Sequence, residues 1–198
     1  DILATASFSV KSGANLEEVV YFKEDFVMKS LYLRFLGVGF LIMSETSVAA
    51  TGKTLLLETS QGQVEIKLLP DVAPNHVARI TELVESGFYD GIVFHRVIPG
   101  FMAQTGDPTG TGMGGSGKNL DAEFSDYEYR EGTVGMARAM SPNSADSQFF
   151  ICFEGCGHLT GQYTVWGQVE SGMKAVEKLA IGEPPSDPDQ IISAKLVD

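Results

Sequence analysis

The chain has 198 residues, of which 43% are hydrophobic and 20% are charged, the profile of a globular protein with a substantial core and not of a disordered one. Its formal net charge is -12 at pH 7. A surface this acidic repels phosphate backbones and anionic lipids, which argues against nucleic acid and bare membrane as partners.

The first fifty residues are predicted to lie outside the folded domain. From Met28 the sequence MKSLYLRFLGVGFLIMSETSVAA combines a basic start, an apolar stretch and a small-residue ending. This is the layout of a secretory signal peptide with cleavage after Ala50, and it predicts a periplasmic or secreted protein. The alternative for residues 28–50 is a buried or amphipathic helix docked on a cytoplasmic protein. Residues 1–27 form an upstream extension of unknown role.

Residues 51–198 are predicted to form one domain that is rich in short strands. TLLLETSQGQVEIKLL, residues 54–69, indicates two strands joined by a turn at 60–62. APNHVARITELVESG, residues 73–87, is typical of a helix, because Pro74 suits its first turn and Gly87 follows a stripe of apolar residues.

Further strands are predicted where short apolar runs alternate with Gly, Pro or polar clusters, in IVFHRVI, FMAQ, GTVGMA, SQFFICF and YTVWGQV. GMKAVEKLA, residues 172–180, indicates a second helix, and IISAKLV, residues 191–197, a last strand. About seven short strands with two helices, and no strand–helix alternation, favour an antiparallel barrel over a doubly wound sheet.

The glycine-rich segment GTGMGGSGKN, residues 110–119, is one residue short of the phosphate-binding pattern G-x-x-x-x-G-K-[ST], because Asn119 replaces the hydroxyl residue. A phosphate loop also needs a strand before it and a helix after it, and the flanking segments predict neither. We therefore interpret this segment as a glycine loop and expect no bound nucleotide.

Residues of conventional catalysis are sparse. His76 is predicted to face solvent on the first helix and His95 to be satisfied in the core, and no His, Asp and Glu cluster has the spacing of a metal site. Cys152 and Cys156 are too few for a disulfide scaffold. We expect Cys152 to be a buried thiol, because a four-residue separation across a strand end rarely suits a disulfide.

The segment FHRVIPGFMAQTGD, residues 94–107, predicts two strands joined by a turn at Pro99 and Gly100. If Arg96, Phe101 and Gln104 share one face with Met102, they form an apolar floor with a cation and an amide at its rim. Taken singly, the apolar residues would be assigned to the core and Arg96 to a surface ion pair.

Three segments in this order, FHRVIPGFMAQTGD, GMARAMSPNSADSQFFI and HLTGQYTVWGQV, resemble the cyclophilins, which are peptidyl-prolyl cis/trans isomerases. The similarity runs from about residue 54 to residue 197. It implies a mainly β fold, an eight-stranded antiparallel barrel capped by two α-helices. It also implies an enzyme that accelerates rotation about X–Pro bonds in folding proteins.

The chemistry of this rotation fits the sparse set of catalytic residues. The barrier is ~18–20 kcal/mol, but no bond is broken, so we expect no nucleophile, metal or cofactor. A catalyst must bind the twisted amide better than either planar form. The resemblance implies that Arg96 stabilises the twisted amide and that Gln104 is the second catalytic residue. The substrate-binding residues that it implies are Phe101, Met102, Ala137, Arg138, Ala139, Gln148, Phe150, His158, Leu159 and Tyr163.

Three of these positions depart from the family pattern. His158 stands where many cyclophilins carry a Trp linked to cyclosporin binding, so we expect reduced affinity for cyclosporin. Tyr163 stands in place of a pocket His and can still close the pocket, and Arg138 replaces a common Asn beside the groove.

The expected partners are proline-containing peptides and unfolded or folding proteins, and the expected state is a monomer. The alternative function is a peptide-binding or chaperone-like module with incidental isomerase activity. Arg96 favours the enzyme, because a pure binder needs the apolar pocket but not the cation.

Overall fold

The computed structural model describes residues 53–197. The predicted extension 1–27 and the predicted signal peptide 28–50 lie outside these residues. In chain order the elements are β1 (Thr54–Thr59), β2 (Gly62–Leu68), α1 (Pro74–Glu85), β3 (Arg96–Ile98), β4 (Met102–Thr105), β5 (Thr133–Met136), β6 (Phe149–Cys152), a 3-10 helix (Glu154–Leu159), β7 (Val165–Ser171), α2 (Met173–Val176) and β8 (Ile191–Val197).

All eight strands belong to one antiparallel sheet with the order β3-β4-β6-β5-β7-β2-β1-β8. The sheet curls until its two edges are linked by a bridge between Val93 and Gln190, next to β3 and β8. The predicted fold class, a mainly β antiparallel barrel capped by helices, is confirmed. Within residues 53–197 no helix combines the length and the apolar character needed to cross a bilayer.

The hairpin and helix predicted at the start of the domain are confirmed. β1 and β2 bury alternate residues, as expected where one face of a strand meets the core. In α1, Pro74 occupies the first turn, and Val77, Ile80, Leu83 and Val84 are buried against the sheet. The second helix is shorter than predicted: α2 covers only four of the nine residues of GMKAVEKLA.

The sheet carries an apolar cluster on each face, and β6 shows how. Phe149 and Ile151 point into the main core, which contains Trp166. Phe150 and Cys152 point to the opposite face and join a second cluster. Because both faces are covered, all four residues of β6 are buried, which explains the continuous apolar run in the sequence.

The prediction of a free thiol at Cys152 is wrong, because Cys152 and Cys156 form a disulfide. Cys156 lies in the 3-10 helix that directly follows β6, a helix that the sequence analysis does not predict. This tight turn brings the two Cα atoms to 6.0 Å, which lies within the usual range for a disulfide.

The predictions for two histidines also need correction. His76 is fully buried instead of facing solvent, and its Nδ1 lies 2.6 Å from a carboxylate oxygen of Glu123. His95 is buried next to the start of β3, but neither of its ring nitrogens has a hydrogen-bond partner among the described residues. Burial lowers the pKa of His95 and so favours its neutral form.

Candidate active site

The outer face of the sheet aligns residues from four neighbouring strands. Arg96 on β3 lies opposite Gln104 on β4, Gln104 lies opposite Phe150 on β6, and Phe150 lies opposite Gly135 on β5. Across the four strands, these residues form a row that begins with a cation and an amide and ends with an aromatic ring beside a glycine.

Gly135 provides the space that the aromatic floor needs. A Cβ atom at this position would collide with the hydroxyl of Tyr129 and with the ring of Phe150. These two rings stack with centroids 5.8 Å apart, and Tyr163 meets Phe150 edge to face at 5.9 Å. A larger residue at Gly135 would displace both rings.

Nine of the predicted site residues line one cleft with a volume of about 130 Å³. Its floor is apolar and its rim carries the Arg96 guanidinium and the Gln104 amide. The nine are Arg96, Phe101, Met102, Gln104, Ala137, Arg138, Phe150, Leu159 and Tyr163. A proline ring is small and apolar, so a cleft with this size and lining suits it.

The remaining three predicted residues lie beside this cleft. His158 stacks on the Phe101 ring with centroids 5.5 Å apart. Ala139 and Gln148 line an adjoining cavity of about 380 Å³. This cavity shares Gln104, Ala137 and Arg138 with the cleft, so the two adjoin and together form a groove.

The Gln104 amide is held in place from the glycine loop. Its Nε2 donates to Oε1 of Gln148 at 2.9 Å, and Nε2 of Gln148 donates to the carbonyls of Gly112 and Gly114 at 3.0 and 2.8 Å. Two amides in series thus connect the cleft to the loop: Gln104 donates to Gln148, and Gln148 donates in turn to the loop backbone.

The glycine loop folds around buried Asp107. The backbone N–H groups of Thr109, Gly112 and Gly114 donate to its carboxylate at 2.6 to 3.1 Å. Burial alone would raise the pKa of Asp107, but these hydrogen bonds hold it well below its usual range. Within the motif, the amides of Gly112 and Gly114 are thus occupied by Asp107, and those of residues 116 and 117 by Asp146, so they are not available to a phosphate.

Arg138 closes one side of the groove. Its guanidinium carbon lies 4.4 Å from the centre of the Tyr163 ring, and its nitrogens donate to the carbonyls of Gln162 and Ala139, both at 3.0 Å. The cation thus packs on the aromatic ring and fixes the loop that follows β5.

Arg96 makes one ion pair, with a residue that the sequence analysis does not identify. Its Nε donates to Oε2 of Glu183 at 2.6 Å. The other two guanidinium nitrogens, Nη1 and Nη2, form no hydrogen bond with residues 53–197, and the Arg96 side chain, which lines the cleft, is 38% exposed.

A second residue that the sequence analysis does not identify is Tyr129, whose ring supports Phe150 from below and whose hydroxyl donates to the carbonyl of Thr164. It lies in an acid-rich segment without apolar periodicity, so the sequence carries no local signal for its burial. Burial raises the pKa of Tyr129, so its hydroxyl stays protonated.

A larger cavity, of about 520 Å³, lies on the far side of the Pro99–Gly100 turn. It contains none of the predicted site residues, and its lining combines apolar residues with three glutamates, Glu131, Glu154 and Glu177, and no cation. Among residues 53–197 there is also no cluster of His, Cys, Asp and Glu that could hold a metal ion.

Comparison with known proteins agrees with this geometry. Residues 54–196 match the family model of the cyclophilin type peptidyl-prolyl cis-trans isomerase/CLD family. A probable peptidyl-prolyl cis-trans isomerase of Brucella suis biovar 1 is 45% identical over 179 residues, covering 82% of this chain and 91% of the relative. The peptidyl-prolyl cis-trans isomerase of Synechococcus elongatus is 44% identical over 144 residues, covering 72% and 94%.

Solved structures give the same result. A Cryptosporidium parvum cyclophilin superimposes with a TM-score of 0.70 at 30% identity, covering 74% of this chain and 98% of that one. Its structure in the presence of the dipeptide Ala-Pro gives a TM-score of 0.69 at 31% identity, covering 73% and 99%. The chain therefore belongs to the cyclophilin family of peptidyl-prolyl cis-trans isomerases, enzymes that interconvert the cis and trans forms of the peptide bond before proline.

Proposed function

We propose that Arg96 carries the catalytic step of this isomerase by stabilising the twisted X–Pro amide. When the amide leaves planarity, conjugation is lost and the proline nitrogen regains a lone pair that can accept a hydrogen bond. A guanidinium donates to it without losing its charge. The observation that carries the proposal is the position of Arg96 at the rim of an apolar cleft, with Nη1 and Nη2 free of partners among the described residues.

The apolar residues of the cleft would hold the proline ring. Phe101, Met102, Phe150 and Leu159 form the floor and walls, with His158 stacked behind Phe101. Because rotation leaves this ring in place, its burial anchors the substrate while the other side of the bond turns. Replacing these side chains should therefore raise KM more than it lowers kcat.

The adjoining cavity would hold the peptide on the N-terminal side of the proline. Gln104 lies at the boundary of the two cavities, so its amide can bind the backbone of the rotating residue. The segment 137–139 lines the other side. The substrates would be proline-containing segments of unfolded or folding proteins, bound by a monomer, and cyclosporin would bind with reduced affinity because His158 offers less apolar surface than Trp.

We further propose that the protein acts outside the cytoplasm, after cleavage of residues 28–50. The basic, apolar and small-residue order of this segment supports the proposal. The match to the Brucella relative also covers 82% of this chain, more than the 148 of 198 residues in 51–198 could supply, so it extends into this segment. Mass spectrometry of the protein in separated periplasmic and cytoplasmic fractions tests the proposal: we expect an N-terminus at residue 51 in the periplasmic fraction, and a cytoplasmic protein that retains residues 28–50 would contradict it.

The catalytic role of Arg96 is tested by comparing Arg96→Ala with Arg130→Ala, which removes an exposed arginine outside the cleft. We expect Arg96→Ala to lower kcat/KM for a short X-Pro peptide at least about 100-fold, or ~2.7 kcal/mol in transition-state binding, and the control to change it little. Thermal melts establish that both variants are folded. Unchanged turnover in a folded Arg96→Ala protein would remove Arg96 from the mechanism and favour a peptide-binding module.

A further inference from the structure

Backbone hydrogen bonds between the residues next to Arg96 and Glu183 bring the two side chains of this ion pair together. Val97 donates to the carbonyl of Gly182 at 2.8 Å, and Gly182 donates to the carbonyl of Val97 at 3.1 Å. Arg96 and Glu183 are the neighbours of these two bridged residues. The pair therefore results from a defined antiparallel register between β3 and the segment that follows α2, and not from a chance meeting of two long side chains.

Gly182 makes this register possible. Its φ of +155° lies in a region that other residues rarely adopt, and a Cβ atom would lie only 2.6 Å from the Cα of Pro185. The backbone here turns sharply so that Glu183 is presented to β3. Glu183 itself does not line the cleft.

We propose that Glu183 is a positioning residue for Arg96, an inference that rests on the catalytic role proposed above for Arg96. The Arg96 side chain is 38% exposed, and a long side chain with this freedom samples many rotamers. The hydrogen bond to the Glu183 carboxylate uses Nε, the guanidinium nitrogen that is attached to the side-chain stem. This bond restricts the orientations of the guanidinium and leaves Nη1 and Nη2, which have no partner among residues 53–197, free to donate to a substrate in the cleft.

The Arg96–Glu183 pair contributes little to the free energy of unfolding. Glu183 is 53% exposed, and ion pairs with this exposure contribute little to stability because water and salt screen them. The pair instead orients a hydrogen-bond donor, and a displacement of a catalytic group by about 1 Å can lower turnover substantially.

The test compares Glu183→Ala and Glu183→Gln with Glu170→Ala. Glu170 pairs with Lys67 at 3.9 Å and is 51% exposed, so it is a matched ion-pair control away from the cleft. In the full-length protein we expect Glu183→Ala to lower kcat about fivefold with KM within about twofold of wild type. Glu183→Gln should recover part of the loss, because its amide oxygen can still accept from Nε.

Two further measurements separate positioning from a merely structural effect. In ¹⁵N NMR spectra, the Nε–H signal of Arg96 should be sharp in wild type, weaken in Glu183→Ala and return in Glu183→Gln. In a double-mutant cycle, adding Glu183→Ala to Arg96→Ala should cause no further loss of kcat, because a residue that acts only through Arg96 has no effect once Arg96 is absent.

The outcomes distinguish this inference from the proposed function. If Arg96→Ala lowers turnover as expected but Glu183→Ala leaves kcat unchanged or raises it, the positioning role is refuted and the role of Arg96 stands. If Glu183→Ala lowers kcat equally in the Arg96→Ala background, Glu183 acts independently of Arg96 and the inference also fails. If Arg96→Ala itself has no effect, the proposed function fails first.

Discussion

Replacing Glu123 by alanine should lower the free energy of unfolding by about 3 kcal/mol, because one carboxylate completes the start of α1. The N-cap residue, Ala73, has no side chain that can cap the helix. Glu123 accepts from the backbone N–H groups of Asn75 and His76 at 3.0 and 2.9 Å, and contacts His76 Nδ1 at 2.6 Å.

The magnitude follows from these contacts. Loss of a helix cap costs typically about 1 kcal/mol. A buried polar group left without a partner costs about 1–3 kcal/mol more, and His76 is 0% exposed. For a domain of this size, the combined loss corresponds to a decrease in Tm of roughly 6–12 °C.

The same carboxylate predicts a dependence on pH. Burial alone would raise the pKa of Glu123, but the hydrogen bonds from His76 and Asn75 lower it below its usual value. Because the folded pKa lies below the unfolded value of about 4.3, the stabilisation is complete above that pH. It is lost as the pH falls through the folded pKa.

Urea denaturation of wild type, Glu123→Ala and the exposed control Glu170→Ala at pH 7 measures the effect. Repeating the series at lower pH should show the gap between wild type and Glu123→Ala narrowing below about pH 4. If Glu123→Ala lowers the free energy of unfolding by less than about 1 kcal/mol at pH 7, the capping role of Glu123 is refuted. A gap of constant size down to pH 3 would refute the role of the charge.

Three further changes test other parts of the site. Asp107→Ala removes the acceptor around which the glycine loop folds, and should raise KM for X-Pro peptides about fivefold because Gln148 loses its acceptors in that loop. An unchanged KM would show that the loop does not position Gln148 for binding. Cys156→Ser should cost about 2 kcal/mol in urea denaturation, as expected for opening a short loop, and two free thiols in native wild-type protein would contradict the disulfide. His158→Trp should tighten cyclosporin binding at least about tenfold in a fluorescence titration, and equal affinity would show that this position does not limit binding.

Much of the fold can be predicted from local patterns. Alternating apolar residues predict β1 and β2, and the apolar stripe after Pro74 predicts α1. Each pattern is set by residues two to four positions apart, a distance over which side chains share one face of a strand or helix. The motif segments also place the candidate site residues in strands and loops that converge on one groove.

Apart from the disulfide, whose two cysteines are only four residues apart, the residues that the sequence misplaces or misses have partners that are distant in the chain. His76 is buried because Glu123, 47 residues later, reaches the start of α1. The helical stripe alone places His76 on the solvent side, since periodicity describes one helix and not what packs against it. Tyr129 is buried beneath Phe150 for the same kind of reason, in a segment with no periodic signal.

The sequence by itself determined the strands, the first helix and the cyclophilin motifs, because these depend on the order of neighbouring residues. The tertiary structure alone decided which groups meet: the carboxylate of Glu183 beside Arg96, 87 residues away, and the space at Gly135 for two rings. Such pairs are created when the sheet curls and brings distant strands and loops together. Their geometry depends on the closed fold, which no local pattern describes.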